Sequence, residues 1–359
     1  MSIITLLVIQ LVKTSCFPEQ IFLERGIFQQ SVNFEFRFQT DSNETMELQE
    51  VTANGFDEQD QLLFKFPLNS YGLVPPILII PDRKIVPGKM LEIFNPLPNF
   101  PLDYPIHNLC YQFKFRTEKG DNIISEITVH PVIYEQKTSL TLPFSGTCLV
   151  TESHDFLTHH RRNFPLTHPL IQKIGITGNN SRFAYDFVLV DEEYKMFKDN
   201  PQRNEDFICW EKPVWCPGDG KIASATNNLP DNAFNVSPPF DVEAHLKDPE
   251  TSMKKHLGNN VIIDHGNSEF SVLAHMREGS VQVDAGEKVS KGKLIGQIGT
   301  SGDSFFPHIH YQLQNGKDLL NSEGLPSKFD FFNLVMGHIT RKIENSYPNT
   351  GMIIRRARG

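Results

Sequence analysis

Three stretches of the 359-residue chain set side chains able to bind a metal or move protons into strand-like surroundings. Asp186 stands within Phe183-Ala184-Tyr185-Asp186-Phe187, and a carboxylate in so apolar a strand must be paired, hydrogen-bonded or bound to a cation. His275 closes Val272-Leu273-Ala274-His275-Met276. His308 and His310 belong to Pro307-His308-Ile309-His310-Tyr311. Residues two apart on a strand project from the same face, so these two imidazoles stand side by side. Such a pair suits two ligands, or one ligand with a catalytic neighbour. A lone His-x-His is a weak signal, and its weight depends on the surrounding sequence.

The elements that must position these residues are mostly strands. Val32, Phe34, Phe36 and Phe38 alternate with polar residues, as do Tyr111, Phe113 and Phe115, the period of half-buried strands. Proline-rich stretches and the turn Glu118-Lys119-Gly120-Asp121-Asn122 punctuate them. The pattern predicts a mainly β protein whose residues 17–145 form an antiparallel, immunoglobulin-like β-sandwich. Residues 146–164, with His154, His159, His160, Arg161 and Arg162, read as a junction. A second β domain is expected over 165–335, where glycines space short Val- and Ile-rich strands, and residues 336–359 read as a frayed basic tail.

The second domain resembles a known family. Gly258-Asn259-Asn260-Val261-Ile262-Ile263-Asp264-His265-Gly266, then Ala274-His275-Met276, Val289 to Gly302 and Pro307-His308-Ile309-His310 follow in the order and spacing of the lysostaphin-type (LytM) metallopeptidases, with Pro217 to Ile222 resembling that domain's entry. The resemblance implies a β domain with a metal groove, one zinc ion per chain, and hydrolysis of peptide bonds in glycine-containing or peptidoglycan cross-bridges. It makes Asp186 and His310 metal ligands, His275 and His308 catalytic histidines beside the reacting water, and His265 structural. Zinc would acidify that water and polarise the scissile carbonyl. The family's remaining ligand is a histidine four residues before the aspartate, where this chain has Arg182. Arginine offers no lone pair. Either an upstream histidine (His168, His159 or His160) supplies the nitrogen, or Arg182 replaces the metal and the domain is a non-catalytic binding or regulatory module.

Bulk properties narrow the partners. A formal charge of −9 argues against a sequence-independent nucleic-acid binder, which needs a basic face, and leaves only a local basic groove open. The apolar run Ile3 to Val12 is too short to span a bilayer and suits a secretory signal over residues 1–16; a first buried strand is the alternative. The combined expectation is a secreted, periplasmic or cell-envelope protein acting on peptide or peptidoglycan, without a transmembrane segment in the mature chain. Five cysteines lack any CxxC pair, which argues against a thiolate zinc site; after export four would remain, and Cys209 and Cys216 could bridge a hairpin or stay as buried thiols. Lys288, Lys291 and Lys293 stand in no acceptor motif, so a lipoyl-like carrier domain ranks last.

Overall fold

The computed structural model describes residues 11–156, 158–236, 238 and 240–356. The fold is mainly β, divided into two compact units, Met1–Ile133 and Tyr134–Gly359. No helix of the described residues is long and apolar enough to cross a membrane.

In the first unit, strands Val12–Phe17, Glu35–Thr40 and Leu91–Phe94 form one antiparallel sheet, and Met46–Phe56, Leu62–Asn69, Asn108–Thr117 and Asn122–Val129 form another. The alternating aromatic residues meet between the sheets. Phe36 and Phe38 each set an edge against Phe113 with ring centroids 4.8 Å apart. Edge-to-face pairs of this kind add roughly 0.5–1.5 kcal/mol each beyond the area they bury. The expected signal run lies outside the described residues except for Leu11 and Val12. Val12 is fully buried and begins a strand that continues through Cys16, in line with the alternative of a first buried strand.

The second unit is built on one long antiparallel sheet. Its middle runs Gly220–Thr226, Asn259–Asp264, Phe270–Met276, Ile309–Gln314, Tyr185–Leu189, Thr147–Glu152, Ile353–Arg356 and Phe329–Met336. Two expected boundaries differ from the structure. The stretch read as a junction holds the strand Thr147–Glu152, paired on both sides. The stretch read as a basic tail holds Ile339–Ser346 and Ile353–Arg356, and Ile354 is fully buried. Ile353-Ile354-Arg355-Arg356 sets two isoleucines before two arginines with no alternation, and four residues are too short a run for a strand period to stand out. The cysteines are free thiols, and Cys209 and Cys216 form no bridge: each donates to a nearby backbone carbonyl, Pro307 and Gly218 respectively, at 3.0 Å.

Because Ile354 fills the sheet's interior, Ile354→Ala should cost about 2–5 kcal/mol in a urea unfolding titration of the second unit's transition. A change within a few tenths of a kcal/mol would mean that this segment is dispensable, as a tail would be.

Candidate metal centre

Strand register brings the candidate residues together. Asp186 sits directly opposite His310 on the neighbouring strand, and His310 is opposite Ala274, the residue before His275. A bulge after Val150 on the other side places Glu152 opposite Asp186. The chemistry therefore converges across four adjacent strands, and Asp186, His275, His308 and His310 are all buried.

His160 joins them from a short 3₁₀ turn, His160–Arg162. Its ring is 1% exposed, its Nε2 lies 3.4 Å from Asp186 Oδ2, and its centroid is 5.0 Å from that of His310. On the other carboxylate oxygen, His310 Nδ1 is 3.0 Å and His308 Nε2 3.6 Å from Asp186 Oδ1. His275 packs against both, with centroids 4.9 Å from His308 and 5.7 Å from His310. Exposed His159 contacts the Glu152 carboxylate, and Glu152, His159, His160 and Asp186 present ligand atoms that all lie within 4.8 Å of one another. His168 is elsewhere: exposed, it caps the helix Pro169–Ile174.

Backbone carbonyls orient these rings. A carbonyl can only accept, so the imidazole nitrogen facing it must carry the hydrogen. His160 Nδ1 donates to Ser153 O at 3.1 Å, His275 Nδ1 to Ser301 O at 2.9 Å and His308 Nδ1 to Phe306 O at 3.0 Å. In its neutral form each of these rings keeps a lone pair at Nε2. The His160 lone pair is buried, has no hydrogen-bond partner, and faces a carboxylate oxygen that is also an acceptor. Acceptor against acceptor is stable only with a cation or a proton between them. A tetrahedral ion with ligand bonds of about 2.0–2.1 Å holds its ligand atoms roughly 3.3 Å apart, close to the spacings around Asp186. The donor set, two imidazoles and one carboxylate, suits zinc.

The surrounding structure fixes the carbonyls themselves. Ser153, which orients His160, is tied by its N–H to Thr350 Oγ1 at 3.0 Å and by its hydroxyl to Pro348 O at 3.2 Å. Ser301 packs against Gly258, where an added Cβ would stand 2.3 Å from Ser301 O, so this approach requires glycine. His275 itself has φ of 60°, a left-handed conformation unusual for histidine and more frequent at functional sites.

Arg182 is fully buried and its Nε donates to Glu323, whose other oxygen accepts the Asn179 N–H at 2.9 Å. Burial pushes the Asp186 carboxyl up, but the adjacent imidazoles, His160 first and then His308, hold it well below the usual carboxylate range. Burial, followed by the neighbouring His308 and His310, drives His275 far below the usual imidazole range, and burial also lowers His308. His265 is structural in its contacts: Nδ1 donates to Asp219 O and Nε2 meets Ser271 Oγ, both at 2.7 Å.

Residues 247–322, which contain His275, His308 and His310, match peptidase family M23. The carboxy-terminal unit carries an M23 peptidase domain of the LytM type. It is similar to peptidoglycan DD-endopeptidase ShyA of Vibrio cholerae serotype O1, 33% identical over 89 residues, 25% of this chain and 20% of that protein. ShyC of the same organism, also a peptidoglycan DD-endopeptidase, is 30% identical over 105 residues, 29% of this chain and 18% of ShyC. The chain thus spans about a fifth of the length of the curated relatives it matches. Among solved structures, the M23 metalloprotease pseudoalterin from the deep sea aligns at 13% identity over 62% of this chain and 92% of its own, with a TM-score of 0.30.

The lowered imidazoles make stability depend on pH. His275 and His308 stay neutral in the folded protein below 6.5, where the unfolded chain would protonate them. The unfolded state then binds more protons, so the metal-free protein should lose stability as pH falls below about 6.5. Thermal melts in chelator from pH 7.5 to 5 should show Tm falling. In His275→Gln the fall should be shallower, and an equal slope in both proteins would contradict the assignment.

Proposed function

We propose that this protein is a zinc-dependent endopeptidase whose metal is held by His160, Asp186 and His310. The observation that carries the reading is the buried, unpartnered Nε2 of His160 facing Asp186 Oδ2, at the place where the family's missing histidine would be needed. His160 supplies that nitrogen from an upstream turn, while Arg182 is charge-paired with Glu323. Half-buried Glu152 and exposed His159 border the proposed ligands.

Zinc, when bound there, supplies a Lewis acid that acidifies water and polarises a peptide carbonyl. The protein's own groups do the rest. His275 and His308 are neutral because they are buried, and their Nδ1 hydrogens are committed to Ser301 and Phe306. Each therefore keeps an Nε2 lone pair that can take a proton from an attacking water. Once protonated, the same Nε2 donates a hydrogen bond to the oxyanion or a proton to the leaving amine. The substrate class is a peptide cross-bridge of the cell wall, as the names of the DD-endopeptidase relatives suggest, and glycine-containing bridges are included in it. Such a substrate places the protein outside the cytoplasm, secreted or in the cell envelope, where the amino-terminal unit could hold it on its target.

The test is zinc content and cleavage of purified peptidoglycan peptides. Wild type should hold about one zinc per chain. His160→Ala, Asp186→Ala and His310→Ala should lose zinc and activity, whereas His275→Ala and His308→Ala should keep zinc and lose about a hundredfold or more in kcat. Arg182→His should gain no zinc. A zinc-free, inactive wild type that gains both with Arg182→His would overturn the reading and make the domain a metal-free binding module.

A further inference from the structure

His310 is oriented by side chains on both ring nitrogens, with no backbone carbonyl among its hydrogen-bond partners. It points Nδ1 toward Asp186, and its Nε2 lies 2.8 Å from Gln312 Oε1. Gln312 Nε2 lies 2.5 Å from Gln314 Oε1, and Gln314 Nε2 lies 2.6 Å from the backbone carbonyl of Gly316. Both glutamines are buried on the strand Ile309–Gln314, and both share the face of His308 and His310 by the strand period.

The direction of this chain follows from its last member. Gly316 O can only accept, so Gln314 must present its NH₂ there and its oxygen to Gln312. Gln312 must in turn give its NH₂ to Gln314 and its oxygen to His310. His310 Nε2 must then carry a hydrogen, whatever occupies Nδ1. Reversing any link would set two donors or two acceptors face to face at buried side chains. Asp186 alone would favour the opposite arrangement, a neutral ring with its hydrogen on Nδ1 shared with the carboxylate.

We infer that Gln312 and Gln314 are positioning residues that transmit the fixed polarity of the Gly316 carbonyl to His310, reserving its Nδ1 lone pair for the cation beside Asp186. The inference deepens the proposed metal centre and rests on it for the identity of the cation. Outer partners of ligand imidazoles fix tautomer and orientation, and their loss typically weakens metal binding about 10–100-fold.

The experiment uses the full chain with histidine imidazoles labelled with ¹⁵N. In the metal-free wild type, the neutral His310 ring should carry its hydrogen on Nε2 and not on Nδ1. Gln314→Met keeps the length and removes both hydrogen-bonding groups, which frees the Gln312 amide to turn over. The Nδ1–H form should then appear, and Zn²⁺ or Co²⁺ affinity, measured against a chromophoric chelator, should drop about 10–100-fold. Adding Gln312→Glu to that variant supplies a group that can only accept, and should restore the Nε2–H form and most of the affinity. A role in packing alone would not move the tautomer. An unprotonated Nε2 in wild type, or a Gln314→Met protein with unchanged tautomer and affinity, would overturn the inference. A wild type that binds no metal yet shows the expected tautomers would sink the metal reading and leave the relay standing.

Discussion

A buried carboxylate without a cationic partner is among the costliest features a protein core can hold, and Asp186 organises the second unit around that constraint. Three imidazoles lie around its two oxygens, and His275 and His308 are kept from charging by the same burial. The rings around the carboxylate have Nδ1 hydrogens committed to backbone carbonyls at His160 and His308, an arrangement that the proposed cation would satisfy.

The positions follow from sheet geometry more than from loops. Asp186 and His310 are cross-strand neighbours, and a one-residue slip would turn both to the opposite face. The segment beyond residue 345 adds a strand beside Thr147–Glu152 and anchors Ser153, whose carbonyl sets the His160 ring. Mechanical support for the His160 ring thus comes from residues 348 and 350.

Much of this was legible in the residues. Period-two alternation marked the sandwich strands and the shared face of His308 and His310, and the family's motif order marked the domain. The same alternation continued through Gln312 and Gln314, a signal for the relay that the apolar reading of a strand passes over. His160 was visible only as one histidine of a polar cluster. It sits on a turn with no periodicity, and its approach to Asp186 depends on contacts with residues 348 and 350, almost two hundred positions later. The strand Ile353–Arg356 was hidden for a related reason: four residues with two arginines carry too little pattern to distinguish an inner strand from a tail.

The central claim is that a nitrogen from outside the family's motif completes the metal centre. The most direct measurement is anomalous diffraction at the zinc edge from crystals of the wild-type protein grown with zinc. The expected result is a single strong peak within bonding distance, about 2.0–2.2 Å, of His160 Nε2, an Asp186 carboxylate oxygen and His310 Nδ1. No peak among these residues, or a peak bonded to Asp186 and His310 with His160 turned away, would contradict it.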